Sequence, residues 1–423
     1  MTSTFAELGI SPRLLAALTR QSITSPVPVQ SQAIPPLRQG RHVVIEAPTG
    51  SGKTLAFILP MVEKLTASPG PGPRGLVVTP TRELAMQVER VFSSLSSELR
   101  STLVYGGVGY SAQEAALRAG VDVVIGTPGR ILDMVSRRRL SLNRVQFLVL
   151  DEGDEMLDAG FAPDVERIIQ GCYQPQIVLA SATMPNWVTR VIERHLENPE
   201  RIRVAAEEEA DLEHGLVRVP RLDKLQTLSR LLRSHRGSVI VFGRTKYGVR
   251  KLNHDLRKAG HDSADLHGDL TQGARDRAMD NFRALRTHVL VATNVAARGL
   301  DISHVDLVVN YDLPDSPDWL THRVGRTARM GAKGRALTFL TPEDDKKWRT
   351  LRQQGAPALP EVDIARLVSA GDWRYVAASL VEPAPQSARR SEPRPAAWPR
   401  RRRRGGRGRR PGSTTPRAAS ASA

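Results

Sequence analysis

The sequence predicts an α/β protein built as two tandem parallel-sheet lobes followed by an arginine-rich tail. Three observations carry that expectation. Short apolar runs alternate with helical stretches in two successive series, the pattern of parallel sheets with helices on both faces. Between the series the alternation lapses into the acidic stretch Glu207-Glu208-Glu209. The first series also carries a glycine-rich turn, Ala47-Pro48-Thr49-Gly50-Ser51-Gly52-Lys53-Thr54, and further on Asp151-Glu152-Gly153-Asp154 closes an apolar run. Strand ends of this kind are where open α/β sheets bind ligands.

In the first series the strand-like runs are 42–45, 75–79, 122–125, 147–150 and 177–179. The run 42–45 leads into the glycine-rich turn, and the turn leads into the apolar helical run 55–59. Backbone N–H groups of such a turn converge on phosphate oxygens at the helix N-terminus. Gly50 and Gly52 permit the tight bend, Lys53 supplies a point charge for the outer phosphates, and the Thr54 hydroxyl suits a magnesium shell. The run 147–150 reads as a buried parallel strand. Its carboxyl end delivers Asp151 to the metal side and Glu152 to a water in line with the terminal phosphate. Alone, the first motif could be an ordinary turn before a helix, with Ala47 where the general phosphate-loop pattern has glycine. The second could be a solvated acidic turn. Their order, each after an apolar strand, points to phosphoryl chemistry.

The second series runs through 238–242, 262–266, 288–291, 307–310 and 335–339. At 423 residues the chain exceeds one ordinary core. The expected organisation is a nucleotide-binding lobe over 1–205, a linker over 206–215, a second lobe over 216–345, a helical extension over 346–383 and a tail over 384–423. Trp373 and Tyr375 in the extension read as packing residues rather than base-stacking ones. A single cysteine, Cys172, excludes a disulfide framework. No apolar run reaches membrane-spanning length, and the N-terminus lacks the order of a secretory signal. A soluble, cytoplasmic protein is expected. The formal charge is +17, of which residues 384–423, with twelve Arg and one acid, hold +11. Such a segment lacks the apolar surface to fold. Arginine pairs with phosphates and stacks on bases, favouring nucleic acid as partner over a solubilising or address role.

Further motifs appear in order: Pro26-Val27-Pro28-Val29-Gln30, Pro80-Thr81-Arg82-Glu83-Leu84-Ala85, Gly106-Gly107, Thr127-Pro128-Gly129-Arg130 and Ser181-Ala182-Thr183. The second lobe adds Gln272 with Arg275, Ala292-Thr293-Asn294-Val295-Ala296-Ala297-Arg298-Gly299-Leu300-Asp301 and His322-Arg323-Val324-Gly325-Arg326-Thr327-Ala328-Arg329. From Phe5 to Phe339 this order closely resembles the DEAD-box RNA helicases of superfamily 2. The resemblance implies two RecA-like lobes that close on ATP, Mg2+ and single-stranded RNA. It implies that Gln30 reads the adenine edge and that Ala47, Thr49, Gly50, Ser51, Gly52, Lys53 and Thr54 hold phosphates. Asp151 and Thr54 serve the metal, Glu152 polarises water, and Asp154, Ser181, Thr183 and His322 couple hydrolysis to lobe geometry. Asp301 meets the ribose, while Arg326 and Arg329 approach the γ-phosphate. Thr81, Arg82, Gly107, Thr127, Arg130, Gln272, Arg275 and Thr293 line the RNA backbone, which gives little sequence selectivity; Arg82 and Arg130 have the alternative of surface ion pairs. Ribosomal or ribonucleoprotein complexes are further expected partners, and the compact core is similar to bacterial members.

The chain departs from the family pattern at Gly153, usually Ala, and at Ile23, where an aromatic usually stacks on adenine. Asn294 and Ala328 also replace the usual Asp and Gly. The expected activity is RNA-stimulated ATP hydrolysis with local unwinding of short duplexes or remodelling of RNA–protein complexes. Two other readings compete with it: a non-enzymatic RNA clamp and a DNA-directed helicase.

Overall fold

The computed structural model describes residues 4–96, 98–204, 212–297, 305–327 and 333–370. The first lobe holds a seven-stranded, all-parallel sheet. Its strands are β1 (Val43–Glu46), β2 (Gly75–Val78), β3 (Ser101–Val104), β4 (Val123–Gly126), β5 (Phe147–Asp151), β6 (Gln176–Ser181) and β7 (Glu200–Arg203), in the order β3-β4-β2-β5-β6-β1-β7. The second lobe holds β8 (Leu212–Arg218), β9 (Val239–Gly243), β10 (Ser263–Leu266), β11 (Val289–Thr293), β12 (Leu307–Asn310) and β13 (Gly334–Leu340), in the order β10-β11-β9-β12-β13-β8. The second order repeats the first without its last edge.

Alternating side chains of each strand feed separate cores on the two sheet faces, as expected of parallel sheets covered by helices. Val43, Ile45, Val77, Phe147 and Val149 pack on one face of the first sheet, and Val44, Leu76, Val78, Leu148 and Leu150 on the other. In the second lobe, Val239, Val241 and Val309 face one core, and Ile240, Phe242 and Val308 the opposite one.

All ten strands read from the sequence are present. Three were missed: β3, β7 and β8. Each is a sheet edge, only partly buried, so its sequence shows no continuous apolar run. The strand β8 starts at Leu212 and pairs with β13 over seven residues, so the expected linker end at 215 is corrected: those residues already belong to the second sheet. Beyond residue 345, the helix Asp345–Gln353 buries Trp348 and Leu351 against Leu216, Leu313, Leu320 and Leu340. Trp373, Tyr375 and the tail lie outside the described residues.

Candidate functional site

At the end of β1 the chain turns through Gly50 (φ +85°) and Gly52 (φ +91°) into the helix Lys53–Ala67. Both glycines hold a left-handed backbone that disfavours side chains. Gly52 is also sterically fixed: a Cβ there would lie 2.7 Å from Gln30 Nε2 and 2.8 Å from Val27 Cγ2. The Gln30 amide bridges the turn to its own helix start, donating to the Gly52 carbonyl (3.1 Å) and accepting from the Val27 N–H (3.1 Å). Ile23 packs half-buried against the adjoining core.

Lys53 is buried and donates to the carbonyls of Ala47 (2.5 Å) and Pro48 (2.8 Å). Burial pulls its pKa below the usual lysine value, opposed by Asp151, Glu152, Asp154 and Glu155. The Asp151 carboxyl, at the buried tip of β5, is pushed up to about 7, first by burial and then by the neighbouring Glu152 charge, with Lys53 opposing. Glu152 takes a left-handed backbone (φ +54°, ψ +57°), rare for a side-chain-bearing residue and the kind of strain found at functional sites. Its Oε2 and the Ser51 hydroxyl are buried without a hydrogen-bond partner. A basic side chain, unsatisfied polar atoms and clustered carboxylate oxygens suit a phosphate chain with a hard divalent cation.

Asp154 binds the end of β6. Its Oδ2 accepts from the Thr183 N–H and hydroxyl (2.9 Å each), and its own N–H donates to Ser181 Oγ (3.1 Å). From the second lobe, His322 Nε2 comes within 3.7 Å of Asp154 Oδ2, and Arg326 Nη2 within 3.7 Å of Glu155 Oε1. Both arginine and histidine descend from the segment around the helix Pro317–Val324. Asp301 and Arg329 lie outside the described residues.

The residues expected to track RNA gather at strand ends on the same side. Thr81 caps the helix Arg82–Leu95, its hydroxyl accepting from the Leu84 N–H. Gly107 (φ +79°) backs onto the Arg82 guanidinium so closely that a Cβ would lie 2.4 Å from it. Thr127 precedes the helix Pro128–Ser136, and Thr293 ends β11. Across the lobes, Arg82 Nη1 donates to Gln272 Oε1 (2.7 Å), and Arg275 Nη2 meets Glu83 Oε1 (2.5 Å). Arg130 sits in a cage, bonded to Gln113 Oε1 (3.3 Å) and the Val108 carbonyl (3.1 Å) and stacked 4.2 Å from the centre of the Tyr110 ring.

Glu83 and Arg323 stand within the motif runs and Glu155 directly after one, without a task that the sequence alone assigns to them. Arg323 is 2% exposed; it donates to Asn294 Oδ1 (2.6 Å), Asn310 Oδ1 (3.1 Å) and the Asp312 carbonyl (2.7 Å), and lies 5.1 Å from the Phe242 ring centre. Burial draws its pKa down to about 10. Asp312 in turn accepts from Lys224 Nζ (2.8 Å) and the Arg244 N–H (2.9 Å). Their only signal in the sequence was a place in or beside the motif runs; the pairing itself needs the fold.

A phosphate-loop lobe whose acidic strand end is met by basic groups of a second, like-ordered lobe defines a two-lobed P-loop nucleotide-binding protein. Residues 27–191 match the DEAD/DEAH box helicase family and residues 223–331 the helicase conserved C-terminal domain. The DEAD-box ATP-dependent RNA helicase CshA of Bacillus subtilis is 40% identical over 84% of this chain and 72% of its own length. DEAD-box ATP-dependent RNA helicase 9 of Oryza sativa subsp. japonica is 42% identical over 79% of this chain; the chain spans 55% of that relative. The structure of S. cerevisiae Dbp5 bound to RNA and ADP BeF3 superposes with a TM-score of 0.79 at 30% identity, covering 89% of this chain and 99% of that one. The chain belongs to the DEAD-box ATP-dependent RNA helicase family.

Proposed function

We propose that this protein is an RNA-stimulated ATPase that closes its two lobes on single-stranded RNA, unwinding short duplexes or remodelling RNA–protein complexes. The observation that carries the reading is the approach of His322 and Arg326 to Asp154 and Glu155 at 3.7 Å each. Basic side chains of the second lobe thereby abut the acidic residues that follow β5, and neither lobe alone holds both sets. The Gly50–Thr54 turn and Lys53 hold the phosphates, with the Gln30 side chain at the base end. Thr54 and Asp151 hold Mg2+, which when bound neutralises charge on the transferred phosphoryl group. Glu152, with an unpartnered buried oxygen, orients the attacking water and takes its proton. Asp154, through Ser181, Thr183 and His322, ties that event to the lobe contact. Asp301 at the ribose and Arg329 at the γ-phosphate keep the roles that the family resemblance implies for them.

On this reading Thr81, Arg82, Gly107, Thr127, Arg130, Gln272, Arg275 and Thr293 grip the sugar-phosphate backbone. Contacts of that kind hold position without reading sequence. A cytoplasmic setting and ribosomal or ribonucleoprotein partners fit a basic chain of this family. Among the described residues no helix is long and apolar enough to cross a membrane.

The test is steady-state ATP hydrolysis with matched RNA and DNA oligonucleotides, beside Glu152→Gln. RNA should stimulate the wild type well above DNA. The variant should bind ATP yet lose about 10²- to 10⁴-fold in turnover. Absence of stimulation at low salt would favour a clamp without turnover, and equal stimulation by DNA would favour a DNA-directed helicase.

A further inference from the structure

Tyr247 lies in the first turn of the helix Lys246–Lys258 and is 74% exposed. That helix docks on its sheet through Val249, Leu252 and Leu256. Two positions before Val249, Tyr247 points away from this stripe, so its ring adds nothing to the core. Cations flank it in sequence, Lys251 among them paired with Asp255 Oδ2 at 2.7 Å. Arg244 and Lys246 precede it, and Arg250 and Lys251 follow at the i+3 and i+4 spacings that share a helix face.

The position of this patch ties it to the expected RNA track. Lys246 Nζ lies 2.7 Å and Arg250 Nη2 3.9 Å from the Asp269 carboxylate. Asp269 stands in the connection from β10 to the helix Gln272–Arg283, whose first residue meets Arg82 of the other lobe. The strands β10, β11 and β9 are neighbours, so Gln272 and Tyr247, which follow the ends of β10 and β9, flank Thr293 at the end of β11 on the carboxyl edge of the second sheet. An aromatic held in water amid arginine and lysine is the surface single-stranded nucleic acid uses, bases on the ring and phosphates on the cations.

Building on the RNA reading above, we infer that Tyr247 is a base-stacking platform that extends the RNA track of the second lobe beyond Gln272. It adds a base contact to a site whose other contacts are to the backbone. Because every base has a π-face, the contact tolerates sequence.

The test uses the full chain, its Tyr247→Ala and Tyr247→Phe variants, and single-stranded RNA carrying 2-aminopurine at each position in turn. Tyr247→Ala should raise the RNA concentration for half-maximal ATPase stimulation between about 5- and 100-fold, while Tyr247→Phe stays near the wild type, since the ring rather than the hydroxyl stacks. Quenching of 2-aminopurine at one position should appear with the wild type and Tyr247→Phe and vanish with Tyr247→Ala. An alanine variant with wild-type half-stimulation and an unchanged quenching profile would overturn the platform alone. RNA that neither stimulates the wild-type chain nor is quenched by it would overturn the RNA reading and this inference together.

Discussion

Replacing Gly153 by Ala should stabilise the first lobe without slowing turnover. Gly153 opens the helix Gly153–Asp158 directly after the strained Glu152. A Cβ built there meets Val188 Cγ2 at 3.6 Å and Leu179 Cδ2 and Ser181 Oγ at 3.7 Å each, all ordinary van der Waals distances. No neighbour has to move. Ser181 Oγ already accepts from Asp154 and donates to the Thr183 carbonyl, so the methyl strands no polar atom. Lower unfolded-state entropy contributes ~0.4–1 kcal/mol, and the buried methyl ~0.8 kcal/mol, together ~1–2 kcal/mol. For a lobe of this size the first unfolding transition should rise by ~2–8 °C. Scanning calorimetry reads the shift, and RNA-stimulated ATPase should stay within about twofold, because Asp151, Glu152 and Asp154 are untouched. A lowered transition would refute the packing argument. A tenfold loss of turnover, about 1.4 kcal/mol of barrier, would show that the glycine's backbone freedom is used during the cycle.

Two other outcomes rest on pairs seen in the structure. Glu83→Gln removes the charge that Arg275 meets across the lobes while keeping the shape; RNA-stimulated turnover should fall ~5- to 150-fold, from ~1–3 kcal/mol of lost contact, with each lobe's melting unchanged, and an unaltered RNA titration would refute it. His214 pairs with Thr338 Oγ1 at 2.9 Å, and burial holds its pKa down to about 4 from 6.5. Above pH 6.5 it is neutral in both folded and unfolded chains and contributes no pH dependence. Between pH 6.5 and 4 only the unfolded chain takes up the proton, so second-lobe stability should fall with acidification by up to ~3 kcal/mol. Asp151, raised by its own burial, contributes with the opposite sign over this range. Urea midpoints across that range should therefore flatten in His214→Gln relative to the wild type; parallel curves would refute the assignment.

The nine interior strands were legible because burial on both faces writes a largely apolar run, as in Phe147-Leu148-Val149-Leu150, and the partly buried edge strand β10 was legible from its place in the alternation. The edges β3, β7 and β8 were not. One side of an edge strand faces water, and Glu200-Arg201-Ile202-Arg203 carries a single buried residue. The phosphate turn and the acidic strand end were legible for a similar reason: their chemistry is local in sequence. What the sequence could not announce was which distant charges meet. Glu83 with Arg275 and Glu155 with Arg326 join residues separated by long stretches of chain, and the acceptors of Arg323, though nearer in sequence, sit on separate elements; only the fold brings them together. The Gln30 amide was expected to read the adenine edge; in the structure both its polar atoms engage the phosphate turn and its own helix start. A buried cation held by neutral amides, as at Arg323, leaves no mark in composition.

Arg323 acts as a keystone. Its guanidinium touches Asn294 just past β11, Asn310 at the tip of β12 and the ring of Phe242 on β9, three strands that lie side by side. It belongs to the same short segment as His322 and Arg326. The face that the second lobe turns toward its neighbour is therefore a single stiff plate: tilt one strand tip and both contacting groups tilt with it, so misalignment arrives all at once rather than residue by residue.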